Sequence, residues 1–130
     1  MTEEKKYRTV IVEKDQEKAM QIGKLLEKRV YAPSILSTRE EMIEQLGGKT
    51  IPLIILGETE DGYSPFQLME EVVKRSPMTS TILLTDASEE EVEEKAEGYG
   101  ILGHVGNAPG DGFFTLLDNF EKISGALTGP

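Results

Sequence analysis

The sequence predicts an α/β domain in which five parallel strands alternate with five helices that cover both faces of one sheet. Three observations carry that expectation. Short apolar runs recur between amphipathic stretches, at 9–12, 53–56 and 81–85, and strands alternating with helical patterns build parallel sheets joined by right-handed crossovers. Residues 53–56 are apolar at every position, Leu-Ile-Ile-Leu, as in a strand buried on both faces. Helix caps and stops fall at intervals that leave room for one helix between successive strands.

Taken in order, residues 9–12 are the first strand and Asp15 caps the helix that follows. Ala19, Ile22, Gly23, Leu26 and Val30 share one face of that helix, and Pro33 closes it. Residues 34–37 form a weak strand at the sheet edge. Thr38 and Glu41 make a capping box for a short helix whose stripe is Met42, Ile43 and Leu46 and which Gly47-Gly48 ends. A second box, Ser64 with Gln67 and Pro65 at the first helical position, opens a helix with Phe66, Met69, Val72 and Val73 inward. Residues 81–85 are the fourth strand, and Ser88 caps a glutamate-rich helix with only Val92, Ala96 and Tyr99 to bury. Residues 101–105 are the fifth strand. Asp111 caps a last helix whose Phe113, Leu116, Leu117, Phe120 and Ile123 repeat at helical spacing. Domain organisation follows as 1–124 for the folded unit and 125–130 for a linker or tail.

Composition narrows the function. A chain of 130 residues with 29% charged and 38% hydrophobic residues fits one globular domain. The net charge of -10 argues against direct nucleic-acid binding. No apolar run approaches membrane-spanning length, and the first eight residues lack the apolar stretch of a secretory signal. The absence of cysteine excludes disulfides and thiolate chemistry and fits a cytoplasmic protein. With one histidine, His104, no structural transition-metal site and no cofactor is expected.

Over residues 8–123, the order, spacing and length resemble the receiver domain of bacterial two-component response regulators. The acidic run Glu13-Lys14-Asp15 after the first strand, the strand 53–56, Asp61-Gly62 after it, and the strand ending in Thr85 carry the likeness. It implies a CheY-like, flavodoxin-like (βα)5 three-layer fold. In that family an aspartate attacks a phosphoryl donor, acidic residues hold a divalent cation, and a lysine takes a phosphoryl oxygen. The matching positions here are Gly57 for the aspartate, Glu13 and Lys14 for the acidic pair, and Asn107, followed by Ala108, for the lysine. Thr85 matches the residue that moves on activation, and His104 the aromatic switch.

Glu13, Lys14, Asp15, Gly57, Glu58, Thr85 and Asn107 are therefore expected around a vestigial pocket with no catalytic group and no metal. The resemblance implies a phosphorylation-independent pseudo-receiver, not an enzyme, that acts through protein partners. The family's contact face is the fourth helix, fifth strand and fifth helix, which implies a homodimer through Val92, Tyr99, His104, Phe113 and Leu117. Some bacterial enhancer-binding activators carry an N-terminal receiver lacking the aspartate, and the step Leu56-Gly57 is similar to theirs.

Other readings stay open. Glu58 or Asp61 is a replacement phosphoryl acceptor if the loop offsets the reversal of side-chain direction that a one-residue shift brings, with Glu13 or Asp15 assisting a metal. Lys14 opposes that cation, and an ion pair or plain surface cluster is favoured; Lys14 in the old cation position is a further possibility. The sheet end is alternatively a small-ligand pocket. Residues 98–103 satisfy GxGxxG spacing, but with a helix before and a strand after, the reverse of a dinucleotide fingerprint. Thr85 is a switch or a cap, His104 a pH sensor or a packing residue, and the glutamate face at 89–97 a docking surface or a solvated one.

Overall fold

A computed structural model describes residues 7–48, 50–106 and 110–128, with side chains described as far as Ser124. Among these, strands β1 (Tyr7–Val12), β2 (Tyr31–Leu36), β3 (Leu53–Leu56), β4 (Ser80–Leu84) and β5 (Gly103–Val105) alternate with helices. The helices are α1 (Gln16–Glu27), α2 (Arg39–Gly48), α3 (Pro65–Arg75), α4 (Glu89–Ala96) and α5 (Asp111–Thr128). All strand pairs are parallel and the order is β2-β1-β3-β4-β5. The expected flavodoxin-like fold is the one observed.

The strand β3 sets the layers, because successive side chains on a strand point to opposite faces. Leu53 and Ile55 pack with Ile22 and Leu26 of α1 and with Phe113, Leu117 and Phe120 of α5. Ile54 and Leu56 pack with Met42, Leu68, Met69, Val72 and Val92, from α2, α3 and α4. The chain runs from β1 to β2 on one side, then crosses to β3 on the other. The carboxyl ends of β1 and β3 thus border the crevice where this topology places ligands.

The caps form as the sequence indicates. Asp15 accepts from the Lys18 amide at 3.2 Å, Thr38 and Glu41 bond reciprocally, as do Ser64 and Gln67, and Ser88 accepts from Glu91. Elsewhere the boundaries differ. The helix α1 stops at Glu27 and β2 begins at Tyr31, so Pro33 lies inside a strand; an edge strand tolerates its missing donor. Inside α3, Leu68 is buried with Met69 and Val72, while Phe66 and Val73 are only half-buried. Asp111 is already helical, with the Phe113 amide donating to the Gly110 carbonyl. Ile123 is exposed despite its spacing. The helix α5 runs to Thr128, so its backbone continues through 125–128, where a tail was expected.

Candidate functional site

Backbone bonds fix the crevice. The Gly57 amide donates to the Val12 carbonyl, that of Lys14 to Glu58, and that of Glu13 to Leu36. These bonds bring the residue after β1 beside the residue after β3. Glu13 is only 2% exposed, and its Oε2 accepts from the Asp15 amide at 2.9 Å. A Cβ built on Gly57 would overlap Glu13 Oε1 and stand 2.9 Å from its Cδ. The space that a side chain at 57 would enter is filled by the carboxylate of the neighbouring strand.

This corrects the reading that placed Lys14 in the old cation position. Lys14 points outward, half exposed, with Nζ 3.9 Å from Glu58 Oε1; the favoured ion pair forms, and at such exposure it contributes little. Asp15 is exposed and spent on the α1 cap. Asp61 is committed elsewhere too. Both of its oxygens lie 3.2 Å from the Arg39 amide at the start of α2. Hydrogen bonds from the Thr59 hydroxyl and then from backbone amides hold its carboxyl below the usual range. Thr85 donates its amide to Val105 and accepts from the Ala87 amide at 3.2 Å, so its hydroxyl closes a turn. Asn107 lies outside the described residues.

Glu13, Glu58 and Thr85 meet in one cleft of about 830 Å³ between α3 and α4. Lys14 and Asp15 do not line it. Lys18, Phe66, Asp86, Lys95 and Tyr99 do, and sequence reasoning did not assign them to the pocket. The Lys95 Nζ bonds Glu91 at 2.8 Å and lies 5.1 Å from the Phe66 ring centre. The i,i+4 spacing of Glu91 and Lys95 was the one readable signal. The Tyr99 hydroxyl donates to Glu70 at 3.3 Å.

The expected contact face needs a larger correction. Val92, Phe113 and Leu117 are 4%, 0% and 0% exposed. Their stripes hold α4 and α5 to the sheet, which leaves them out of reach of a partner. Tyr99 and His104 are half-buried and remain accessible. His104 shares a hollow of about 340 Å³ with Glu93 and Glu97 among its lining residues.

No family model matches the chain. A stretch of 83 residues, 62% of this chain, is 31% identical to a GMP synthase (glutamine-hydrolyzing) of Streptococcus mutans, and the chain spans 15% of that protein's length. Solved structures align far more completely. A CheY-like response regulator receiver domain from Methanospirillum hungatei JF-1 is matched over 89% of this chain and 94% of its own, with TM-score 0.76 and 17% identity. A two-component response regulator from Clostridium difficile is matched over 95% and 100%, with TM-score 0.78 and 15% identity. A fusion bearing the trimeric coiled coil of yeast Spc42 is matched over 98% and 85%, with TM-score 0.82 and 24% identity. The sheet order and these neighbours define a receiver fold.

Proposed function

We propose that this chain is a phosphorylation-independent receiver domain that works by protein contact in bacterial signal transduction, with no enzymatic activity of its own. The observation that supports it is the pairing of Gly57 with Glu13. Position 57, just after β3, carries no side chain, and the volume one would use is occupied by the carboxylate of Glu13, the residue after β1. An anionic group there opposes the approach of a phosphoryl donor, and restoring an aspartate alone would set two carboxylates in one space. Neither Glu58 nor Asp61 replaces it well: the first is paired with Lys14 and solvated, the second is tied to α2. Amide spectra recorded with Mg²⁺ and beryllofluoride test the reading. Unchanged signals at Glu13, Gly57 and Thr85 are expected, and saturable shifts there would refute it.

The contact surface in this reading is the outer side of α4, β5 and α5, through Tyr99, His104 and the glutamates of α4, with a second copy or another protein as partner. The setting is cytoplasmic, and regulation of a transcription activator is the output to which the missing aspartate is best suited.

A further inference from the structure

The amino end of the sheet holds a buried donor with nothing to bond. Arg8 is the second residue of β1 and alternates with Val10 and Val12, whose side chains pack on the α2–α3 face. Its guanidinium therefore lies beside the last turns of α2, where Nη2 donates to the Gln45 Oε1. Nη1 is buried and has no hydrogen-bond partner, the one side-chain nitrogen or oxygen among the described residues in that state. Leaving a buried donor unpaired is costly, and more so for a charged group. Among the described residues no carboxylate forms an ion pair with Arg8, although Glu44 borders the same hollow. That hollow, of about 430 Å³, is lined by Arg8, Glu44, Gln45 and Gly48. It lies at the opposite end of the strands from Glu13 and Gly57.

We infer that this hollow is a site for a small organic carboxylate, a monoanion, held by the Arg8 guanidinium with the Gln45 amide as the group it displaces. The Gln45 side chain offers a single oxygen and satisfies only Nη2. A carboxylate offers two oxygens at the spacing of the guanidinium fork, one for Nη2 and one for Nη1, so its arrival gives the orphaned donor a partner. The surroundings limit the charge of the ligand. Glu44 is exposed at the rim, and α2 ends at Gly48, so the helix adds partial negative charge there. One negative charge is matched by Arg8, whereas a second meets Glu44 and the helix end. A dianion such as sulfate is thereby disfavoured. The volume is at the small end of the range for ligand pockets, which suits a small acid. This site does not depend on the absence of phosphoryl transfer at the other end of the sheet.

Amide-shift titrations of the whole chain with butyrate, butyramide and sulfate, at constant ionic strength, test the site. Saturable shifts at Arg8, Gln45 and Gly48 are expected with butyrate, weaker binding with sulfate and none with butyramide. Arg8→Gln should weaken butyrate binding by about tenfold or more. Gln45→Ala removes the competing oxygen and should tighten it a few-fold, a gain that a merely structural Arg8 would not produce. The Gln45 variant also reads the site if Arg8→Gln fails to fold. No saturable shift at those residues, equal binding of butyramide, sulfate bound as tightly as butyrate, undiminished binding in Arg8→Gln, or no gain in Gln45→Ala would each overturn the site.

Discussion

At the scale of single residues, the account rests on two positions that share one space. Gly57 does not have a positive φ; a Cβ there would displace the end of the Glu13 side chain and stand 3.2 Å from the Val12 carbonyl oxygen. Gly57→Ala should therefore push the Glu13 carboxylate aside and destabilise the fold modestly, by about 1 kcal/mol, the low end of overpacking costs. The same change in a Glu13→Ala background should cost markedly less, and chemical denaturation of the four variants measures that coupling. Additive effects would mean that the two positions do not meet. This relation was hidden in the sequence. That position 57 carries no side chain was readable, but which neighbour stands beside it depended on β1 and β3 pairing in register, with Val12 beside Leu56.

At the scale of elements, the helices are held to each other by charge as well as by apolar stripes. Glu71 of α3 bonds Arg39 of α2 at 2.8 Å and Arg75 at 2.9 Å, and Arg39 also lies over the Tyr63 ring. Arg39 first, then Arg75, lowers the Glu71 carboxyl from 4.5 to about 2. A depressed folded value means that this stabilisation is present above about pH 4.5 and is lost as pH falls toward 2. Arg39→Ala should lower stability at pH 7 slightly and flatten the fall in melting temperature between those pH values. An unchanged acid profile would show that the bridge contributes nothing. Core elements should be less forgiving: Leu117→Ala in α5 is expected to cost about 2–5 kcal/mol in denaturant, whereas an interface residue would tolerate the change.

The same helices show where sequence reading succeeds and where it stops. Caps were legible at Asp15, Thr38, Ser64 and Ser88 because a capping bond spans three residues. Strand β3 was legible because both faces are apolar. Pro33 misled because a proline stops a helix but is also permitted in an edge strand, and only the sheet order decides between them. Contact through Phe113 and Leu117 is what the resemblance implies, and a resemblance gives that face by its elements, not by its residues. Apolar spacing alone does not say which side of an amphipathic helix meets the sheet.

For the whole molecule, the sheet order and its solved neighbours give a receiver fold. A topology that gathers the ends of β1, β3 and β4 yields a crevice, and here that crevice is lined by carboxylates, Glu13 and Glu58 among them. The charge of -10 and the glutamate-rich α4 favour basic protein surfaces, and attraction of that kind should weaken as salt rises. Self-association through α4, β5 and α5 is expected to depend on Tyr99 and His104, the two of the five expected contact residues that stay accessible. Light scattering across a concentration series should show a dimer that Tyr99→Glu abolishes; a monomer at every concentration would remove that contact.

The absence of phosphoryl transfer is tested most directly by intact mass after incubation of the chain with acetyl phosphate and Mg²⁺. The account predicts an unchanged mass. A stoichiometric phosphoryl adduct, lost in Glu58→Gln or Asp61→Asn, would contradict it.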